Sequence, residues 1–369
     1  MNARTDQISH YNPVYDLIRG AAAMTVFLGH LFPFWSSISG IQFKIEIVNA
    51  FLFLGVEFFF ALSGVLLGPL LYLQFQKEKP FKNVRIFLLR RWYRTLPTYY
   101  IGLALCMSLY FSTFSFDNAN IWYSLGQYFL FVQNLFGQDD AFYVVAWSIS
   151  VEEIFYVVFV AIVGVCFLKF RQAGKSHMLA ISMIILFSFA MRVYALQDFS
   201  SWDSDIRKAS LLRLDSIAIG ALIGIFCVNI TRRWFCSALL FVLATIYYLS
   251  IYWDSIEASA IHNIILQVMF TLLPFACAVF VKYLADNWAL KPSGVIRFFA
   301  DISYPLYIFH LAILPHFFNV GLEPYFYHTG LEISYLLLSA YVIFTIGYCY
   351  LFFRYIETPI LNRRPRYES

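Results

Sequence analysis

Arg19 and His30 stand eleven residues apart in the first apolar run of the chain. That spacing is almost three helical turns, so both fall on one face, about 16 Å apart along the axis. Counting about 1.5 Å per residue from the ends of their own apolar runs, Glu57, Glu152 and His310 reach the same middle depth as His30. Each has an ordinary explanation by itself, a snorkelling arginine or a hydrogen-bonded core histidine. Ionisable groups at bilayer depth are costly and mark function when they gather, and four on four separate helices point to one shared polar site. Ser148, Glu152 and Tyr156 share a face by i,i+4 spacing, as do Ser303, Tyr307 and His310. Glu153 lies about 100° away from Glu152, where it serves helix packing or a partner arginine.

A second set of chemistry-bearing residues precedes the third apolar run. Arg90, Arg91 and Arg94 lie within about one turn, just before Pro97. Three guanidinium groups so placed are able to clamp phosphates bidentately; the alternative is an ordinary basic anchor at a membrane surface. Lys77, Lys79, Lys82 and Arg85 carry only the anchor reading. Arg213 and Asp215 begin the sixth span, either greeting a polar acceptor or pairing structurally. Gly220 and Gly224 below them have the GxxxG spacing that lets helices approach closely.

The elements that must position these residues are membrane helices. Of 369 residues, 61% are hydrophobic and 13% charged, about half the charged share of soluble domains. Continuous apolar runs of about 20 residues favour helices over a barrel. Spans are expected near 14–34, 47–73, 96–115, 147–168, 178–196, 211–229, 235–252, 262–282, 302–320 and 331–353. The apolar stretch 121–136 is short and broken by Gln127, Gln133 and Asn134. Reading it as re-entrant or interfacial puts Lys169, Arg171 and Lys175 on the same side as the basic clusters at 77–94, 232–233, 282–297 and 354–366, which makes that side cytoplasmic along with both termini. The expected fold is therefore an all-α polytopic membrane protein of about ten transmembrane helices. It forms a single domain over 1–369, with neither a signal peptide nor an appended soluble domain. The six cysteines have no metal-binding spacing and read as core thiols; no metal is expected. The basic residues lie between apolar runs, where they report orientation, and the net charge of +4 implies no nucleic acid.

At these positions the sequence resembles the acyltransferase 3 family. YDLIRGAAAMTVFLGH (15–30) is similar to the family's opening helix with its Arg-x10-His, and GVEFFFALSGVLL (55–67) to its second-helix motif, with Glu57 where Asp is usual. LRRWYRTLPTYY (89–100), WSISVEEIFY (147–156), RLDSIAIG (213–220), ISYPLYIFH (302–310) and YIETPI (355–360) follow in family order. The resemblance implies ten helices and transfer of an acyl group, often acetyl, from cytosolic acyl-CoA to a carbohydrate hydroxyl. It places the protein in a bacterial inner or plasma membrane, acting on cell-envelope or lipid-linked glycans. It makes Arg19 with His30, and Arg91 with Arg94, functional. The longer arm of Glu57 argues against a direct catalytic role there.

With that chemistry, Arg19, Arg90, Arg91 and Arg94 are expected to hold acyl-CoA, which is the donor substrate and not a resident cofactor. His30 is expected to act as general base with Glu152 as its partner. Ser148, Tyr307 and His310 are candidate oxyanion donors, and Arg213 and Asp215 stand on the acceptor side. Direct attack and an acyl-histidine intermediate both remain open. The competing class is a transporter or flippase of a sugar-containing or small polar substrate, which accounts for the buried charges but not for the ordered motifs.

Overall fold

Where apolar runs are continuous, a helix satisfies every backbone donor and acceptor internally, and the long apolar runs among the described residues are helical. The computed structural model describes residues 12–39, 44–113, 120–137, 143–256, 259–315 and 331–367. Its helices are α1 (Pro13–Ser39), α2 (Ile45–Phe75), α3 (Pro80–Thr113), α4 (Asn120–Leu130), α5 (Ala146–Phe170), α6 (Ala173–Ala195), α7 (Leu214–Phe226), α8 (Arg232–Tyr252), α9 (Ala260–Asn287), α10 (Gly294–Pro315), α11 (Leu331–Phe352) and α12 (Thr358–Asn362). A π-helical turn, Trp202–Arg207, lies between α6 and α7, and another, Phe353–Glu357, joins α11 to α12.

Seven helices among the described residues are long and apolar enough to cross a membrane: α1, α2, α5, α6, α8, α9, and α11 with its continuation. Three more expected spans fall on helices of another character. The first half of α3 carries Arg85, Arg90, Arg91 and Arg94. With 13 residues, α7 is only about 20 Å long. The helix α10 includes Arg297, Asp301 and His310, and residues 316–320 of its expected span lie outside the described residues. Within the ambiguous stretch, α4 has 11 residues, about 16 Å, too short to cross. Beyond it Phe131 takes a left-handed φ of 59°, and Gln133 and Asn134 turn inward to Ser150 and to the carbonyls of Trp147 and Lys208.

The centre of the bundle is α2, which packs against α1, α3, α7, α8 and α9. Its tightest contact is with α7. A Cβ on Gly64 would stand 2.6 Å from the Ala221 backbone nitrogen, and one on Gly220 would stand 2.9 Å from the Ala61 carbonyl oxygen. Only glycine permits this approach, and the GxxxG expectation for Gly220 and Gly224 is met. On the periphery, Leu186 of α6, Leu240 and Tyr247 of α8, and Ile343 of α11 expose their apolar side chains. That is the pattern of a surface solvated by lipid tails.

Two ends of the bundle matter below. The Ser39 end gathers the last turns of α1, the starts of α2 and α5, and the 202–208 segment. The Pro13 end gathers the start of α1, the end of α2, the first half of α3 and the C-terminal residues 358–367.

Candidate active site

At the Ser39 end a cavity of about 300 Å³ reaches into the bundle, with His30 and Tyr307 in its wall. Three residues past His30, Pro33 lacks an N–H, so the Gly29 carbonyl loses its helical partner; both residues also line the cavity. The His30 ring is fixed through Nδ1, which lies 2.9 Å from the Val26 carbonyl oxygen. A carbonyl only accepts, so Nδ1 carries the proton. The same Nδ1 lies 3.2 Å from Nε2 of His310. That second ring is fully buried, and its own Nδ1 donates to the Leu306 carbonyl at 2.9 Å, which leaves Nε2 as an acceptor. The two histidines therefore form one oriented chain, and His30 Nε2 is the nitrogen left to take a proton. Edge-on contact with Phe27, and the Tyr341 hydroxyl on the His310 carbonyl at 3.0 Å, hold the second ring from behind.

Beside the pair, the Tyr307 hydroxyl meets Ser148 Oγ at 2.6 Å. The 202–208 turn also lines the cavity, through the charged residues Asp203, Arg207 and Lys208. Asp203 is bound by Arg207 Nε and Lys208 Nζ, each at 2.5 Å. Burial would raise its pKa, but the two cations more than offset that and pull it down to about 2. The Arg207 guanidinium also lies 5.0 Å from the Trp147 ring centre and 6.0 Å from that of Trp253.

The arginines of α3 make a separate cluster toward the Pro13 end. Arg91 meets Glu152 at 3.4 Å and the Tyr156 hydroxyl at 2.9 Å, with its guanidinium over the Tyr156 ring. Glu152 also accepts from Ser63 Oγ at 2.8 Å, and Glu153 accepts from Thr95 Oγ1 at 2.8 Å. Arg90 is committed elsewhere: it donates to the Pro365 carbonyl at 2.7 Å and lies over the Tyr367 ring. Arg19 pairs with Asp16 at 3.4 Å. Arg94 lies in the electrostatic field of Arg91, Glu357 and Glu152. Among the described residues it makes no ion pair, so its donors are uncommitted. Tyr304 of α10 reaches this cluster through the Thr95 carbonyl at 2.8 Å. One helix thus carries Tyr304 at the arginine cluster, Tyr307 in the cavity wall and His310 against His30.

Several expectations need correction. The middle-depth groups divide between three places instead of forming one layer. Only His310 meets His30; Glu152, expected as its partner, is held by Ser63, Arg91 and Tyr156. Glu57 and Arg213 pair with each other at full burial, while Asp215 pairs with Arg192 through two bonds of 2.9 and 2.5 Å. Arg213 and Asp215, expected on the acceptor side, lie outside the cavity lining and are paired with Glu57 and Arg192. The charged residues that do line the cavity, Asp203, Arg207 and Lys208, escaped the sequence reading. Their only signal was two acids and two bases packed into Trp202–Lys208, and a connection has no periodicity by which to aim them.

Compared with known families, residues 12–354 match the acyltransferase 3 model, described as an acyltransferase domain. The chain belongs to the acyltransferase 3 family. Searches of curated proteins and of solved structures found no match. The family match runs from the start of α1 to the end of α11, so both the histidine pair and the arginine cluster lie inside it. This acyltransferase 3 protein is thus a multi-pass membrane protein.

Proposed function

We propose that the protein is a membrane O-acyltransferase, moving an acyl group, in the simplest case acetyl, from cytosolic acyl-CoA to a hydroxyl of a cell-envelope or lipid-linked glycan. The proposal includes ten spans, both termini cytoplasmic, and a bacterial inner or plasma membrane. The Pro13 end then faces the donor and the Ser39 end the acceptor. The observation that carries it is the His30 ring: it lines the cavity, is held through Nδ1 and keeps Nε2 free.

In the reaction, Nε2 takes the proton of the acceptor hydroxyl as its oxygen attacks the thioester carbonyl. The charge this places on the ring is stabilised through Nδ1–H by the Val26 carbonyl and His310 Nε2, in the role a carboxylate fills in a triad. The Tyr307 hydroxyl, with Ser148 as its partner, donates to the tetrahedral oxyanion. Collapse expels the CoA thiolate, which recovers the proton from His30. Arg94, with Arg19 and Arg91 around it, neutralises the donor's phosphates, and Glu152 keeps Arg91 aligned.

Purified protein in proteoliposomes, with acyl-CoA on the Pro13 side and a glycan extract on the other, tests this directly. Mass spectrometry should find an acyl-CoA-dependent gain of one acyl group per modified hydroxyl. Translocation of unmodified sugar, without that mass gain, would replace the reading with a transporter.

A further inference from the structure

The cavity that His30 lines carries more positive than negative charge. Among its described lining residues the ionised groups are Arg207 and Lys208 against Asp203, so one carboxylate serves two cations. Side-chain exposure is 11% for Arg207, 15% for Lys208 and 26% for Asp203, so the cluster is neither sealed nor open to bulk solvent. Arg207 spends only Nε on Asp203; among the described residues its terminal nitrogens have no hydrogen-bond partner. Lys208 likewise uses one of its three donors.

These side chains stand on a braced segment. Asp205 accepts from the backbone N–H groups of Ser200 and Ser201 at 2.9 and 3.0 Å. Asn134 fastens the other end, donating to the Lys208 carbonyl at 2.6 Å and accepting from the Ser210 N–H at 2.7 Å. Trp147 and Trp253 flank the Arg207 guanidinium and leave its fork directed by packing. A pre-oriented guanidinium fork beside an ammonium is the arrangement that binds a carboxylate or phosphate. The buried pairs Glu57–Arg213 and Arg192–Asp215 already hold this part of the bundle together, so a purely structural task is filled elsewhere.

We propose that the acceptor is an anionic saccharide, whose carboxylate or phosphate seats against Arg207 and Lys208 and displaces Asp203 from one of them. The proposal rests on the acyl-transfer reading, because it uses the same cavity as the place where the acceptor hydroxyl meets His30. Asp203 then serves as a resident counter-ion, guarding two cations until the substrate arrives.

Binding measured without any donor separates this from the reaction itself. The full chain in nanodiscs is titrated with methyl β-glucuronide, glucose 1-phosphate and neutral methyl β-glucoside, using calorimetry or saturation-transfer NMR. At least one anionic probe should bind about tenfold or more tightly than the neutral one, and the better of the two identifies the anion. Lys208→Gln should cut that preference several-fold while acetyl-CoA affinity stays unchanged. Asp203→Asn should raise affinity for the anion, a gain that misfolding does not imitate. Equal affinity for charged and neutral probes, or an Asp203→Asn variant that binds the anion more weakly, overturns the proposal. An intact anion preference in a protein that transfers no acyl group would instead sink the reaction and leave the anion site standing.

Discussion

Two groups of ion pairs border the 202–215 region, and they do different work with the same residue types. Arg192–Asp215 and Arg213–Glu57 have no solvent exposure at either partner. The first joins the consecutive helices α6 and α7, and the second ties α2 to the start of α7, 156 positions along the chain. Asp203, Arg207 and Lys208 keep 11–26% of their side chains exposed and line a cavity with His30. A sealed pair returns its desolvation cost only as a pair, so removing one partner damages the fold. A pair open to a cavity can exchange one partner for a ligand. The difference lies in what surrounds the charges, and it decides which arginines belong to the structure and which to the chemistry.

The largest break in that comparison is Arg213→Met, which strands Glu57 in the core. It should cost about 3–5 kcal/mol, read as a large drop in thermal unfolding temperature in detergent. Glu57→Gln with Arg213→Met should recover part of the loss, because no unpaired charge is then buried. Next comes His310→Ala, which removes a positioning residue. Transfer should slow by about tenfold, near 1.4 kcal/mol, with acyl-CoA affinity unchanged and partial rescue by His310→Gln. The α3 arginines should then rank by how free they are. Arg94→Gln should weaken acyl-CoA binding most, by about tenfold or 1.4 kcal/mol. Arg91→Gln should weaken it less, and Arg90→Gln least, since Arg90 serves the C-terminal segment. Binding titrations that place Arg90 first would reverse the assignment. The smallest effect is in acid. The Asp203 pKa is depressed, so its pairs contribute stability above the ordinary value of 3.8 and lose it as pH falls toward about 2. Asp203→Asn should flatten that limb of the unfolding-temperature profile.

Much of the frame was legible in the sequence because it rests on local rules. Apolar run length located the helices, and Gly220 with Gly224 foretold a close helix contact. His30 stood out by its spacing from Arg19 and its depth, and His310 by its depth and the face it shares with Tyr307. Partnership was not legible, because it depends on which faces of distant helices meet. His310 lies 280 positions from His30, and Arg213 lies 156 from Glu57. Periodicity reports the face a residue occupies, not the helix opposite. Glu152 was matched to His30 for want of that information, and Arg91 holds it instead. Arg207 and Lys208 were harder still, since a π-helical turn between helices has no apolar stripe to phase it.

The central claim is that acyl transfer passes through Nε2 of His30. The direct measurement is the rate of acyl transfer by His30→Ala in proteoliposomes, beside wild type, with matched unfolding temperatures. Loss of a general base predicts a fall of about 10²–10⁴-fold or more with acyl-CoA binding retained. A folded variant that turns over within about threefold of wild type, under 1 kcal/mol, would contradict the account.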